Sequence, residues 1–424
     1  VTCLLALLLA CSSSPTPETS KTSTTVAPTP VPPGKLRNAV VIVVDTLRAD
    51  AVDRARTPAL DGLAATGAQR AWAWAPSTWT APSVVSLFSG MHVRQHGWDF
   101  PFPSKMDLAN KSYPPLPDVP VLAEVLQDAG FATTGLYANR LLARELGFGR
   151  GFRRWDQLPD ARLVAAARRS IKHWKPDGRA FLYLHLMGPH HPLEPKLRSR
   201  EHWNLGEGEL GGEQSIGLPE VRQGGDLEEG LYWRAYHAVV EDTDAHIGDI
   251  VDALRPHLDD TLLIVTADHG ELLGEHGDFG HGGGVFEPLT RVPFIVVNGP
   301  LLPDRVQTAA LSDIVTGALG VDHSWPVRLG DGDELVSQRE GAVALTVDGR
   351  SKAVWDSTRF DGPVQFDLVV DPAEERPQPL TDSALSAARQ AFDARVPAGE
   401  LSAETGATDA STLQALKALG YVGE

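Results

Sequence analysis

Residues 259–297 read DDTLLIVTADHGELLGEHGDFGHGGGVFEPLTRVPFIVV. Within them Leu262 to Thr266 is an apolar, β-branched run of strand length that delivers Asp268 and His269 at its end, followed by a turn rich in Gly and His. A short continuous apolar run bounded by turn residues fits a buried strand, and oxygen and imidazole donors at its tip fit a metal site. Many ordinary strands also end in polar residues, so the pair alone is a weak signal. Density strengthens it: Asp268, His269, Glu271, Glu275, His276, Asp278 and His281 all fall in one loop. The plainer alternative is a solvated acidic loop.

The same design occurs earlier. Ala39 to Val44 is an apolar strand-length run ending at Asp45, a residue that elsewhere often caps a turn. Thr57-Pro58 starts a helix that runs to about Thr66, with Thr as cap and Pro in the first turn. A strand around Ala68 to Ala75 leads to Ser77-Thr78-Trp79-Thr80-Ala81-Pro82, and the spacing behind Pro82 predicts a helix from near Ala81, closed by Gly90. Thr80 then stands at a helix N-terminus, where free N–H groups and the dipole favour an anion. A hydroxyl there can attack a phosphoryl or sulfuryl centre; taken alone, Thr80 or Thr78 reads better as a plain N-cap.

The middle of the chain alternates. Val121 to Asp128 and Ala161 to Trp174 have helical spacing; Phe131 to Tyr137 and Ala180 to His185 read as strands, the latter emptying into Gly188-Pro189-His190-His191. Alternation of this kind predicts an α/β fold, a largely parallel central sheet with helices on both faces. Leu193 to Gly230 lacks periodicity and reads as a long surface excursion. Leu231 to Leu254 is a helix, in which His246 reads as a surface or packing histidine. Beyond Gly299, short strands at Ala342 to Leu345, Ala353 to Asp356 and Val364 to Val370, with helices at Ser383 to Arg395 and Thr412 to Leu419, predict a small α+β unit.

Charge and cysteine content narrow the chemistry. Lys and Arg number 38 against 55 Asp and Glu, a net charge of −17, which disfavours a nucleic-acid partner. The two cysteines are Cys3 and Cys11, so neither a disulfide framework nor a cysteine-held zinc belongs to the folded part. Leu4 to Ala10 is apolar but too short to span a bilayer, and with Cys11 it resembles a lipoprotein signal whose cysteine becomes lipidated, although no positive charge precedes Leu4. The expected organisation is a signal segment over 1–11, a Ser/Thr/Pro-rich tether over 12–36, a catalytic domain over 37–335 and a C-terminal subdomain over 336–424. That arrangement implies an extracytoplasmic protein, held to the membrane of a bacterial cell envelope by its lipid alone.

Taken in order, VVIVVDTLRAD, STWTAPSVVSLFSG, FLYLHLMGPHHPLEP, LLIVTADHGELLGEHGDFGHG with LTRVPFIV, FDLVVDPAEE and LKALGYVG resemble the sulfatase family of the alkaline phosphatase superfamily. The resemblance implies an alkaline-phosphatase-like sandwich with its active site at the strand C-termini. It implies one divalent metal, Mn2+ or Zn2+ ahead of Ca2+, held by Asp45, Asp268, His269 and the nucleophile Thr80. His190 and His281 match positions that contact the transferred group or protonate the leaving oxygen. His276 is a weaker candidate for the same surroundings, and the family's Gly-Lys-x-His stretch is matched by Tyr137-Ala138-Asn139-Arg140, which loses the lysine and histidine that grip sulfate and leaves Asn139 or Arg140 as a partial substitute.

Departures from the family carry information. Sulfatases proper oxidise a Cys or Ser to formylglycine, and a secondary alcohol at Thr80 cannot give that aldehyde. Val84 replaces the family arginine, Thr46 a second aspartate, and Gly188 an aspartate before Pro-His. The expectation is a threonine-nucleophile enzyme acting on phosphate esters, diesters above all, of a small molecule or an envelope glycan or lipid. The alternatives are a sulfuric ester hydrolase and an inactive, lipid-anchored binding protein.

Overall fold

The computed structural model describes residues 36–64, 66–99, 112–113, 116, 118–206, 230–281, 283–332, 334–339, 341–397 and 406–407. Cys11, residues 12–35 of the expected tether and the helix expected at Thr412 to Leu419 lie outside them, as do 207–229 of the expected excursion. Eight strands form the main sheet: β1 Asn38–Val44, β2 Gln69–Trp74, β3 Ala132–Tyr137, β4 Arg154–Gln157, β5 Ala180–Leu186, β6 Thr261–Ala267, β7 Arg291–Val297 and β8 Arg305–Gln307. Their order is β8-β2-β7-β6-β1-β5-β3-β4, and β7 alone runs antiparallel to both its neighbours. This is the largely parallel α/β sandwich that the alternating strands and helices predict.

Residues of β1, β5 and β6 are buried along their whole length, which is why these strands read as unbroken apolar runs rather than as alternating ones. Each Val, Leu or Ile so enclosed contributes about 1.5–3 kcal/mol. Register then fixes the site: Val44 pairs with Leu186 on one side and Ala267 on the other, so Asp45 and Asp268 leave adjacent strands at the same level.

Four longer helices cover the sheet in two groups. Helices α2 (Asp160–Lys172) and α3 (Leu231–Leu254) pack together, as do α1 (Thr80–Ser89) and α4 (Leu311–Leu319). Helix α1 follows an extended Trp79 and ends where Gly90 adopts a left-handed φ of 61°, its N–H donating to Ser86 O. All ten residues of α1 are buried, and its hydroxyls are satisfied locally: Ser83 Oγ donates to Ser77 O at 3.1 Å and Ser89 Oγ to Val85 O at 2.7 Å. Among the described residues no helix is long and apolar enough to cross a membrane.

The C-terminal unit is a five-stranded antiparallel sheet, β9 Leu335–Arg339, β10 Ala342–Val347, β11 Ser351–Trp355, β12 Val364–Asp367 and β13 Gln378–Pro379, followed by α5 Asp382–Arg395. Its first strand straddles the boundary expected at 335. Strand β12 stops three residues short of Val370 because the Asp367 carboxylate accepts from Val369 N at 3.1 Å and folds the chain into a turn. Lys352 of β11 is buried against Glu287 Oε1 (3.0 Å) and Glu374 Oε1 (2.8 Å), and Trp74 Nε1 donates to Glu287 Oε1 at 3.1 Å, which ties this sheet to the main one.

Candidate active site

Four connections at the C-terminal edge of the main sheet converge. Asp45 follows β1, Asn139 follows β3, Asp268 and His269 follow β6, and Thr80 opens α1. All five are buried. Thr80 Oγ1 lies 3.4 Å from Asp45 Oδ2, 3.4 Å from His269 Nε2 and 3.2 Å from Asn139 Nδ2. Behind Asp45 the backbone turns through Thr46 at φ 58°, an uncommon conformation for a β-branched residue. That turn is pinned on two sides: Thr46 N donates to Asp268 Oδ1 at 3.3 Å, and Tyr236 OH of α3 donates to Thr46 O at 2.7 Å.

Asp45 Oδ1 and Asp268 Oδ2 are buried with no hydrogen-bond partner among the described residues. His269 Nε2 stands 3.7 Å from the first and 3.6 Å from the second. His269 Nδ1 pairs with Gly270 O at 2.9 Å, which assigns the proton to Nδ1 and leaves Nε2 bare toward Thr80 and the carboxylates. Burial holds His269 down at about 4 against the pull of Asp45. Burial also opposes ionisation of Asp45, yet the imidazoles of His190, His185 and His269 keep its carboxyl well below the usual range. Asp268 is pushed the other way, by burial and then by Asp45 itself. Two buried carboxyls that cannot both ionise unaided make a site built for a cation.

The donors fit a divalent ion. Ligands about 2.1 Å from a metal stand roughly 3.0–3.5 Å apart, close to the separations among Thr80 Oγ1, Asp45, Asp268 and His269. One further histidine belongs to this group and escapes a reading of sequence alone. His185, one residue short of the end of β5, sets Nε2 3.3 Å from Asp45 Oδ2 and 3.7 Å from Asp268 Oδ2, and its Nδ1 pairs with Tyr183 OH at 2.9 Å. Asp45, His185 and Asp268 thus form a cluster that could itself hold a metal. The available signal was a lone polar residue inside a fully buried strand.

Beside these donors stands a wall of imidazoles. His190 and His191 stack with ring centroids 4.4 Å apart, His281 lies 5.1 Å from His190, and His269 lies 4.7 Å from His281. The loop carrying His190 is fixed by Asp160, whose carboxylate accepts from Met187 N at 2.9 Å and Gly188 N at 3.1 Å. Gly188 has φ 50°, and a Cβ there would come within 2.6 Å of Val44 Cγ1, so the turn calls for glycine. Burial, and then His269, hold the His281 pKa well below its ordinary value.

Thr80, Asp45, Asp268, His269, His190, His281 and Asn139 therefore share one site. Arg140 does not join them: Asn139 caps a short 3-10 turn by accepting from Leu141 N at 2.9 Å, and the turn sends Arg140 into solvent. His276 also points elsewhere, stacked on Phe286 with centroids 3.7 Å apart at an angle of 11°. Of the loop's acids, Glu275 pairs with Arg48 at 2.6 Å and Asp278 with Arg359. Glu271 is fully buried 3.6 Å from His281 Nδ1 rather than solvated, and burial raises its pKa well above the carboxylate range. His246 is a half-buried packing residue, 3.1 Å from Lys196 Nζ.

A profile of the sulfatase family matches residues 37–321. The choline-sulfatase of Rhizobium meliloti (strain 1021) is 27% identical over 267 residues, 49% of this chain and 51% of that protein. Matched segments span from 14% to 51% of the length of the curated relatives. Among solved structures, BT4656 in complex with its substrate D-glucosamine-2-N,6-O-disulfate aligns with a TM-score of 0.63 at 16% identity, over 84% of this chain and 96% of that one. The phosphonate monoester hydrolase of Agrobacterium radiobacter aligns with a TM-score of 0.60 at 16% identity, over 91% and 96%. At such identities the likeness to solved structures speaks for the fold.

Proposed function

The chain belongs to the sulfatase family, and from that premise we propose a metal-dependent hydrolase or transferase of phosphate esters, preferring diesters, that works through a covalent intermediate on Thr80. The observation that carries this reading is the position of Thr80 Oγ1, on the first residue of a buried helix and within 3.4 Å of Asp45 Oδ2 and His269 Nε2. Asp45, Asp268, His269 and Thr80, with His185 behind them, would hold the ion. When bound, a divalent cation there lowers the pKa of a coordinated hydroxyl and offsets charge on the group being transferred.

The remaining work falls to the side chains. Asn139 donates to Thr80 Oγ1 and so favours its alkoxide, while Asp45 Oδ2 lies within reach of the departing proton. Attack by Oγ on phosphorus expels the ester oxygen, which takes a proton from the imidazole pair of His190 and His281. A water or an acceptor hydroxyl then displaces the threonine, restoring Thr80 Oγ–H. Since the ion is already offset by Asp45 and Asp268, a monoanionic diester suits the site better than a dianionic monoester. The relatives named as sulfatases favour a second reading, a sulfuric ester hydrolase. Thr80 weighs against it, because oxidation of a secondary alcohol yields a ketone and not the aldehyde of formylglycine.

A panel of aryl phosphodiester, phosphomonoester and sulfate ester substrates, run on the metal-loaded protein beside Thr80→Ala, tests the proposal. Diester turnover fastest of the three, lost in Thr80→Ala, with phosphate recovered on the Thr80 peptide after acid quench, is the expected result. Sulfate turnover ahead of both phosphates would transfer the assignment to the second reading. Lipidation of Cys11 and attachment at the outer face of a membrane are proposed in addition, on the apolar run Leu4 to Ala10. Release of Cys11→Ser into the soluble fraction checks this.

A further inference from the structure

Strand β9 belongs to the C-terminal sheet, yet it runs along the segment that leads into α1. Ser337 Oγ donates to Ala75 O, Gln338 N to Pro76 O at 2.9 Å, and Ser77 Oγ to Gln338 O at 2.7 Å. Arg339 comes next. It is buried, and its Nη1 donates to His281 O at 2.7 Å and lies 3.4 Å from Thr78 O, two residues before Thr80. One guanidinium therefore touches both the chain that carries the nucleophile and the chain that carries one of the two leaving-group imidazoles. We propose that Arg339 is a positioning residue, which sets the His281 ring against Thr80 for protonation of the departing oxygen. The proposal rests on the proton-donor role given above to the pair His190 and His281.

The residues around His281 give the reason for an anchor. Gly280 precedes it and three glycines, at 282–284, follow it. Glycine is the most permissive backbone residue, so this stretch does not fix the direction of the ring by itself. A hydrogen bond from a buried guanidinium is stronger than one between neutral groups and suits the task. The ring so held stands 5.1 Å from His190 and 4.7 Å from His269, centroid to centroid.

The clamp is unequal on its two sides. Without the guanidinium, the lead-in to Thr80 keeps its bonds with Ser337 and Gln338, whereas the His281 carbonyl loses this donor. Cleavage that needs the acid should therefore suffer, and cleavage that does not need it should be spared. As the bond to the ester oxygen breaks, a phenolate must take the imidazole proton, while a dinitrophenolate departs without one.

Leaving-group dependence tests this. Wild type, Arg339→Met, His281→Ala and the double variant are assayed, metal-loaded, on one series of aryl diesters running from dinitrophenyl to phenyl. Aryl sulfates of the same phenols serve where the sulfuric ester reading holds, so the test does not depend on which acid is esterified. For Arg339→Met, kcat on the phenyl ester should fall about 100-fold with KM held, against less than about 3-fold on the dinitrophenyl ester. His281→Ala should show the same steepening, and the double variant no further loss. Arg339→Lys, which keeps a cation and a donor, should restore much of the phenyl rate. An even loss across the series, or a wild-type slope in Arg339→Met beside a steep one in His281→Ala, overturns the proposal and leaves the proton-donor reading intact. A wild-type slope in His281→Ala removes that role from His281 and the proposal with it. If Arg339→Met fails to fold, Arg339→Gln, too short to reach the carbonyl, takes its place under the same outcomes.

Discussion

Asn139 Nδ2 lies 2.6 Å from Asp45 Oδ2, the shortest of the contacts that hold this carboxylate and the same amide that reaches Thr80 Oγ1 at 3.2 Å. Its orientation is fixed from behind, because Asn139 Oδ1 accepts from Leu141 N. Asn139→Ala removes the clamp and should cost about 10- to 100-fold in kcat/KM, as loss of a group that orients a ligand usually does. Asn139→Asp replaces a donor by a third carboxylate and should cost more. Wild-type rates in Asn139→Asp would show that the amide does not support the nucleophile.

Gly188 offers a test of how tightly the imidazole wall is built. With φ at 50° and Val44 Cγ1 only 2.6 Å from the place of a Cβ, Gly188→Ala strains the backbone and presses on the β1 tip that carries Asp45. Overpacking of this kind costs about 1–3 kcal/mol. The denaturant midpoint should fall accordingly, and turnover should fall with it because His190 is two residues away. An unchanged midpoint would mean that the tip and the loop give way more easily than their contacts indicate.

Much of this site was legible because the sheet buries its central strands on both faces. A fully buried strand must be apolar throughout, so Asp45 and Asp268 stand out at the ends of Ala39–Val44 and Leu262–Ala267. Thr80 was legible from Pro82 and Gly90, which bracket a helix by backbone preference alone. His185 was not, since nothing local says that a histidine inside an apolar strand faces two carboxylates rather than a packed core. Arg140 and His276 show the converse error. Both have suitable chemistry and suitable neighbours in sequence, but a 3-10 turn directs one to solvent and Phe286 covers the other. Nothing in the sequence separates Glu271 from the loop's other acids, which read as solvated or structural; only the fold places it behind His281.

Lys352 links the small sheet to the main one from a fully buried position between Glu287 and Glu374. Lys352→Met would leave two carboxyls enclosed without their cation, and breaking one partner of a buried ion group costs about 3–5 kcal/mol. Glu287 also receives Trp74 Nε1, so the loss should be felt in β2 and in the α1 end of the site. Replacing all three charged residues together by apolar ones of similar volume should recover much of that stability. A single Lys352→Met variant as stable as wild type in urea would show that the two sheets are held by apolar packing alone.

Acid sensitivity should come in part from outside the site. Burial pushes the pKa of both His92 and His96 down to about 3, whereas an unfolded histidine titrates near about 6.5. Because the folded values are depressed, the unfolded chain binds protons that the native chain refuses, and stability falls as pH drops below about 6.5 toward 3. At pH 5 each residue should cost about 2 kcal/mol relative to neutral pH. His96 is needed for its bonds, with Ser86 Oγ 3.0 Å from Nε2 and Trp98 N donating to Nδ1. Neither ring nitrogen of His92 has a hydrogen-bond partner among the described residues, so His92→Leu removes the proton site without removing a bond. The stability difference between His92→Leu and wild type should move in favour of the variant by about 2 kcal/mol between pH 7 and pH 5, a shift the titrating imidazoles of the active site cannot produce because both proteins share them. Parallel pH profiles for the two proteins would show that His92 accepts its proton in the folded state.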